Sequence, residues 1–303
     1  MVDSERKLRD VIFIGCVGTT IYALFVLIKN GVLAGSERIY IGEMYDPNDL
    51  AYFMVSFLPF GFLFLSRGNA LYRRILSIAM LVMSPIVILS TQSRGGFIAM
   101  CFVSIWLMAS KSLTVKRGYK MIAIVLILIG LIVVLPDMNL SHLSSITQLE
   151  TDYNMFDETG RLAIWREGIS LMISYPFTGV GVNCFQEAIG RYRAEQNLQE
   201  TWQTSHNSLI QIGTETGIIG LCLYLIITIK AFNIFNRARK FRFLDGLASI
   251  GEMAKIGFLG NFIGSMFLSQ AYSIYWIFYL ALSSCIQGLI ENSRQNSPYD
   301  HLD

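Results

Sequence analysis

Residues 11–28 read VIFIGCVGTTIYALFVLI, a run without a single charged side chain. A hydrocarbon core about 30 Å thick takes about 20 apolar residues to cross as a helix. With a few flanking residues this run is long enough to do so. Backbone N–H and C=O groups find no water inside lipid, and a helix satisfies them within one segment. Seven more apolar runs follow, at residues 50–65, 75–90, 95–109, 121–135, 208–229, 256–268 and 272–290. Several borrow flanking residues. The run at 256–268 is the weakest and short enough to be re-entrant, although 256–290 is too long for one crossing. The expected fold class is all-α: a polytopic helical membrane protein with about eight transmembrane helices, one membrane domain over 1–303.

Composition agrees. Of the 303 residues 53% are hydrophobic and 15% are charged, with mean hydropathy +0.49, whereas soluble domains carry about 25% charged residues. A net charge of +2 offers no excess of cations for phosphate backbones, so nucleic acid is not an expected partner. The five cysteines form no CxxC pair, and four of them sit inside apolar runs, which suits neither a disulfide framework nor a zinc site. The run at 11–28 is too long for a signal-peptide core and lacks a small-residue cleavage site, so it is expected to stay in the membrane.

The sign of the charge along the chain sets the orientation. With the N-terminus placed in the cytoplasm, seventeen of the 24 Lys and Arg residues fall on the inner side and seven outside. That bias follows the positive-inside rule, and it puts both termini in the cytoplasm. The long hydrophilic segment 136–206 then lies outside. It holds four arginines, nine acidic residues and no lysine. Arginine offers a fixed fork for phosphate or carboxylate that lysine lacks, so this loop is the first place to look for chemistry.

Within the loop, Leu162, Trp165, Ile169 and Met172 repeat at helical spacing over 161–175, with Thr159 as the expected N-cap and Pro176 as the stop. A turn at 178–181 precedes a second amphipathic stretch at 183–197, marked by Phe185, Ile189 and Tyr192. Beside a bilayer, two such helices lie along the interface or pack on the span tops.

Five residues qualify for chemistry. Arg94, in Thr91-Gln92-Ser93-Arg94-Gly95-Gly96, opens a span where exposed helix N–H groups favour an anion; the plain alternative is a snorkelling arginine in a short hairpin. Arg161 opens the first loop helix in the same anion-favouring position, or pairs with Asp157 or Glu158. Arg166, five residues on, points about 140° away around the axis. His206, in Ser205-His206-Asn207-Ser208 at a span mouth, can act as a general base or serve as an interfacial polar cap. Glu215 is costly inside an apolar run and so functional by default, yet Gly213 and Gly217 flank it as GxxxG, which packing alone explains. Asp46-Pro47-Asn48-Asp49 reads as a turn and helix cap rather than a metal site. HExxH, P-loop and GxGxxG patterns do not occur.

Taken in order, Asp46–Ala51, Ser93-Arg94-Gly95-Gly96, and the run from Gly160-Arg161 and Trp165 through Pro176 and Gly179-Val180-Gly181 to His206-Asn207-Ser208 and Glu215–Gly220 resemble the O-antigen ligase/polymerase family. The resemblance spans about residues 10–290. It implies a membrane glycosyltransferase, similar to the GT-C type, that takes a glycan from an undecaprenyl-diphosphate carrier. The acceptor is lipid A core, a growing polysaccharide or a protein. It further implies that Arg94 and Arg161 hold the diphosphate, that His206 is the catalytic base, and that no metal or other cofactor takes part. Arg166 and Glu215 are left in supporting roles. The setting is the bacterial cytoplasmic (inner) membrane, with 136–206 as the periplasmic loop. Members of the family usually have more spans, so this chain is expected to be the C-terminal part of a longer protein. Two other readings stand beside the enzyme: a polysaccharide transporter or flippase component, and an inactive truncated member. Transporters gather their charges near the midplane, whereas here the arginines and His206 gather at the outer rim.

Overall fold

The computed structural model describes residues 2–30, 46–66, 68–110, 159–241 and 245–295. The expected span at 121–135 and the first part of the hydrophilic segment, 136–158, lie outside them. Among the described residues every regular element is helical: α1 (Glu5–Asn30), α2 (Pro47–Phe57), α3 (Leu71–Ser90), α4 (Arg94–Ala109), α5 (Arg161–Ser174), α6 (Phe185–Glu195), α7 (Ser208–Lys240), α8 (Asp245–Ser265) and α9 (Ile274–Gln295). Four stretches are long and apolar enough to cross a membrane, namely Glu5–Lys29, Leu71–Ser90, Ser208–Lys240 and Ile274–Ser293; Arg94–Ala109 is apolar but shorter.

Local chemistry sets the ends of these helices. Asp46 is the N-cap of α2, its carboxylate accepting from the backbone N–H groups of Asn48 and Asp49, with Pro47 in the first turn. That is the expected cap. The apolar run at 50–65 does not continue as one α-helix. Pro59 has no N–H to donate and its ring crowds the preceding turn, and Leu58–Phe64 tightens into a 3₁₀ helix. Ser93 caps α4 by accepting the N–H of Gly96 at 3.1 Å. The weak run at 256–268 is the last part of the longer helix α8, and eight residues separate its end from α9.

The chain divides into two compact units. The first comprises Met1–Val134, Ile229–Gly264 and Ile274–Asp303. Its interior is aromatic. Tyr279 is fully buried, stacks on Phe60 with ring centroids 5.9 Å apart, lies 5.4 Å from the ring of Phe258, and donates to the carbonyl of Ser56 at 2.5 Å. A buried Ser56 hydroxyl also donates to Asn261 Oδ1 at 2.9 Å, tying α2 to α8. Polar bridges of this kind join helices where lipid supplies no hydrophobic drive. Gly96 sits where an added Cβ would collide with Ala51 of α2, so this glycine serves close helix packing.

Charges inside this unit are paired. Glu252, 2% exposed, accepts from the Ser110 hydroxyl at 2.5 Å and faces Arg239 Nε at 3.3 Å. Lys255 lies over the rings of Trp106 and Phe232 at 5.1 and 5.0 Å.

The second unit comprises Leu135–Thr228 and Ser265–Ser273. It contains α5, α6, the first two thirds of α7 and the connector 266–273 between α8 and α9. Ile164, Leu171, Phe185 and Ile189 form its core, with Val180, Ala188, Tyr192 and Ile210 packed around them.

Candidate functional site

The expected loop helices are present with shifted ends. α5 starts at Arg161 with Gly160 as its N-cap, and no side chain caps it, so Thr159 does not take that role. The helix stops at Ser174, just ahead of Pro176. α6 is shorter than the amphipathic stretch that predicts it, Phe185–Glu195. Between them Gly179 and Gly181 both have positive φ, at 63° and 109°, the conformation that glycine alone adopts without strain.

Glycines also let the elements close on one another. A Cβ at Gly168 would stand 3.0 Å from Ile210, Phe185 and Thr214. The Thr214 hydroxyl donates to the Gly168 carbonyl at 2.9 Å, locking α5 to α7. Gly213 faces Met172 of α5, where a Cβ would lie 2.7 Å from its sulfur. The GxxxG of α7 is therefore a packing motif, with α5 as one partner. At its second glycine the helix breaks: Gly217 has φ 70° and ψ −174°. The turn after α5 fills the break, because Ile218 N–H donates to Pro176 O at 2.7 Å and Val180 N–H to Thr214 O at 3.0 Å.

Glu215 is enclosed at this junction. Its two carboxylate oxygens accept the backbone N–H groups of Asn183 at 3.0 Å and Phe185 at 3.3 Å, at the start of α6. The Tyr272 hydroxyl adds a further hydrogen bond. A carboxylate at a helix N-terminus satisfies donors that otherwise have no partner, and favours the helix dipole. Glu215 thus holds α6 and the connector on α7.

A second charged group is buried nearby. Arg193, 1% exposed, donates from Nη1 to Glu167 Oε1 at 2.6 Å and from Nε to Gln199 O at 2.6 Å. Burial pushes the Glu167 carboxyl above the usual range, and the charge and hydrogen bond of Arg193 pull against it. Sequence reasoning singled out neither residue, because nothing in their spacing distinguishes them from surface charges.

His206 stands at the mouth of α7 in a left-handed conformation, φ 47°. Left-handed backbone is uncommon outside glycine, although Asn, Asp and His are enriched there. Four elements pin it. Its backbone N–H donates to Ser269 Oγ of the connector at 2.9 Å. Its Nε2 lies 3.3 Å from Thr204 Oγ1. On one side the carbonyl of Ser205 accepts Trp165 Nε1–H of α5 at 2.7 Å. On the other, Asn207 caps α7 by accepting from the N–H groups of Leu209 and Ile210 at 3.0 and 3.2 Å.

The connector is stitched to α7 along its length. Ser208 Oγ donates to Leu268 O and accepts from Gln270 N, both at 2.9 Å, and Gln211 Oε1 accepts from Ala271 N at 3.2 Å. Ser205 and Ser269 hydroxyls lie 2.9 Å apart, and Ser205 Oγ donates to Asn207 O at 2.9 Å. Each hydroxyl has one proton. With Ser205 donating to Asn207, Ser269 donates to Ser205 while it accepts from His206.

The remaining expected site residues are placed as follows. Arg161 is the first residue of α5 and half-buried; Arg166 is exposed on the same helix. Arg94 is the first residue of α4, exposed, in the first unit. His206, Arg161, Arg166 and Glu215 share the second unit. The connector residues were missed by sequence reasoning. Their one signal is the polar interruption Ser269-Gln270 between two apolar runs, which reads equally well as an ordinary loop.

Residues 78–225 match the family model described as O-antigen ligase. The matched stretch holds Arg94, Arg161, Arg166, His206 and Glu215. No curated protein matches the chain.

Proposed function

We propose that this chain, whose match supports the O-antigen ligase/polymerase family, transfers a glycan from an undecaprenyl-diphosphate carrier to an acceptor hydroxyl. The reaction belongs to cell-surface polysaccharide biosynthesis, at the outer face of the bacterial cytoplasmic membrane. The acceptor is a hydroxyl of lipid A core, a growing polysaccharide or a protein.

The observation that supports this reading is His206, pinned through its backbone at the start of α7 and half-buried, with Nε2 3.3 Å from Thr204 Oγ1. A general base is effective when its position is set before substrate arrives. His206 takes the proton of the acceptor hydroxyl as the oxygen attacks the anomeric carbon on the face opposite the diphosphate. The carbon–oxygen bond to the diphosphate breaks with inversion, and the carrier leaves as the lipid diphosphate. Arg94 and Arg161, each at a helix start, stabilise the charge that develops on that leaving group. Arg166 adds positive charge on α5, and Glu215 supports the site by holding α6 and the connector in place. The proton, the base and the two guanidiniums account for the step without a metal.

The test is transfer of labelled glycan from a synthetic lipid-diphosphate donor by the full chain in proteoliposomes. Wild type transfers, and Arg94→Ala and Arg161→Ala lose activity mainly through a raised KM for donor. Full activity of both arginine variants together with a His206 variant would overturn the mechanism. Movement of intact donor across the bilayer without transfer would instead point to a transporter.

A further inference from the structure

The exposed surfaces of α5 and α6 in the second unit differ in character, while Leu198, Trp202 and Tyr272 are exposed outside both helices. On α6 the exposed residues are Gln186, Glu187, Arg191, Ala194 and Glu195, polar but for the single small Ala194. On α5 the exposed face starts with Arg166 and turns apolar toward the C-terminus, with Ile169 at 43% and Ile173 at 68% exposed. The turn continues the trend: Tyr175 is 51%, Phe177 75% and Val182 62% exposed. Large apolar side chains in such a cluster are costly against water.

α7 changes character at the same level. From Gln211 to Glu215 every residue is buried and three of the five are polar or charged. From the Gly217 break to Ile229, before the exposed Lys230, the exposed positions carry no charge: Cys222, with Ile218, Ile219, Leu223, Ile226, Ile227 and Ile229 each at least 45% exposed. Tyr224 and Thr228 are the buried ones, a period that leaves the other faces open. A helix whose open faces are apolar is facing lipid. The hydrogen bond from Ile218 N–H to Pro176 O fixes the neighbour of Phe177 at the first of these open positions. The apolar end of α5 and its turn are therefore continuous with the lipid-facing surface of α7.

We infer that Ile173, Tyr175, Phe177 and Val182 form a wedge that inserts into the acyl-chain region of the adjoining leaflet. The Gly217 break then marks the membrane boundary on α7. Ser208–Thr216, about 13 Å of helix at 1.5 Å per residue, stands in the headgroup region or beyond it. The expected crossing at 208–229 shifts accordingly, starting near Ile218. A wedge beside a lipid-linked donor would hold the unit at the level of the headgroups, but the inference itself rests on exposure and continuity and not on the transfer reaction.

The experiment uses the full chain with its cysteines replaced by serine, reconstituted in nanodiscs of phosphatidylethanolamine and phosphatidylglycerol. A nitroxide is attached at Phe177→Cys, Ile173→Cys or, as the water-facing control, Glu195→Cys. Relaxation by oxygen should exceed relaxation by a water-soluble nickel chelate at 177 and 173, and the order should reverse at 195. Nickel accessibility at 177 equal to that at 195 would overturn the inference, as would protection from both reagents, which would mean that a second copy or another protein covers the face. A measurement that keeps the native cysteines is Phe177→Trp in brominated lipid. Its difference fluorescence against wild type should be quenched severalfold, and an unquenched difference would again overturn the wedge.

Discussion

Ser269 Oγ accepts the backbone N–H of His206 at 2.9 Å, joining residues 63 positions apart in the chain. The bond holds a histidine whose backbone is left-handed, and a residue in that region persists only when its surroundings over-determine it. Ser269→Ala removes this acceptor and also the hydroxyl that meets Ser205. A net hydrogen bond is worth about 0.5–1.5 kcal/mol, so kcat should fall about two- to tenfold. KM for donor should hardly change, because in the proposed mechanism Ser269 positions His206 and not the diphosphate. Steady-state transfer kinetics check this, and a raised KM at constant kcat would count against the positioning role.

His206→Asn separates the proposed base function of the imidazole from the structural role of the backbone. Asparagine tolerates the left-handed region, so the junction should keep its fold and its melting temperature. Transfer should drop by about 10²–10⁴-fold, the usual worth of a general base. Added imidazole should restore part of the activity to His206→Gly, whose backbone also suits the site. Wild-type turnover by His206→Asn would remove the histidine from the mechanism.

Gly217→Ala tests the break in α7. A φ of 70° with ψ of −174° lies in the region that only glycine enters freely, and an added Cβ would stand 2.5 Å from Pro176 O. The cost should reach at least about 1–3 kcal/mol. It should appear as a lower melting temperature of the detergent-solubilised chain and faster protease cleavage in the turn 175–182.

The Arg193–Glu167 pair carries a pH dependence. The Glu167 carboxyl is raised above the usual range by burial, against the pull of Arg193. The folded state therefore binds a proton that the unfolded state has already released. Stability from this group is full below the ordinary glutamate value and is lost as pH rises through the raised one. Arg193→Met takes away the opposing pull and leaves a buried carboxylate alone. It should lower stability at pH 8 by about 3–5 kcal/mol and steepen the loss with rising pH. Arg193→Met with Glu167→Leu should recover most of that loss and flatten the slope. Thermal denaturation between pH 4 and 9 measures both.

Much of this organisation is written in local order along the chain. Apolar runs of bilayer length, the Asp46 cap, the helical stripe on α5 and the glycine turn at 179–181 depend on neighbours a few residues away. Their physics is periodicity, capping and backbone freedom, and each can be read from the sequence. The placement of His206 at a helix mouth is legible for the same reason, since Asn207 and Ser208 follow it directly. The ends of elements are less so: Thr159 looks like a cap, yet the helix starts one residue later behind Gly160.

Long-range partners belong to another class. Nothing near Glu215 says that its carboxylate closes the start of α6, thirty and thirty-two residues earlier. Nothing near Ser269 says that it receives His206, and nothing near Glu167 says that Arg193 neutralises it. By itself the sequence determines that the chain is helical, strongly apolar and marked by a few polar residues at helix starts. Only the tertiary structure decides which of those residues is left facing outward and which is consumed by the fold. The reason is that burying a charge or an unpaired donor is costly, and the partner that offsets the cost can come from anywhere the chain returns to.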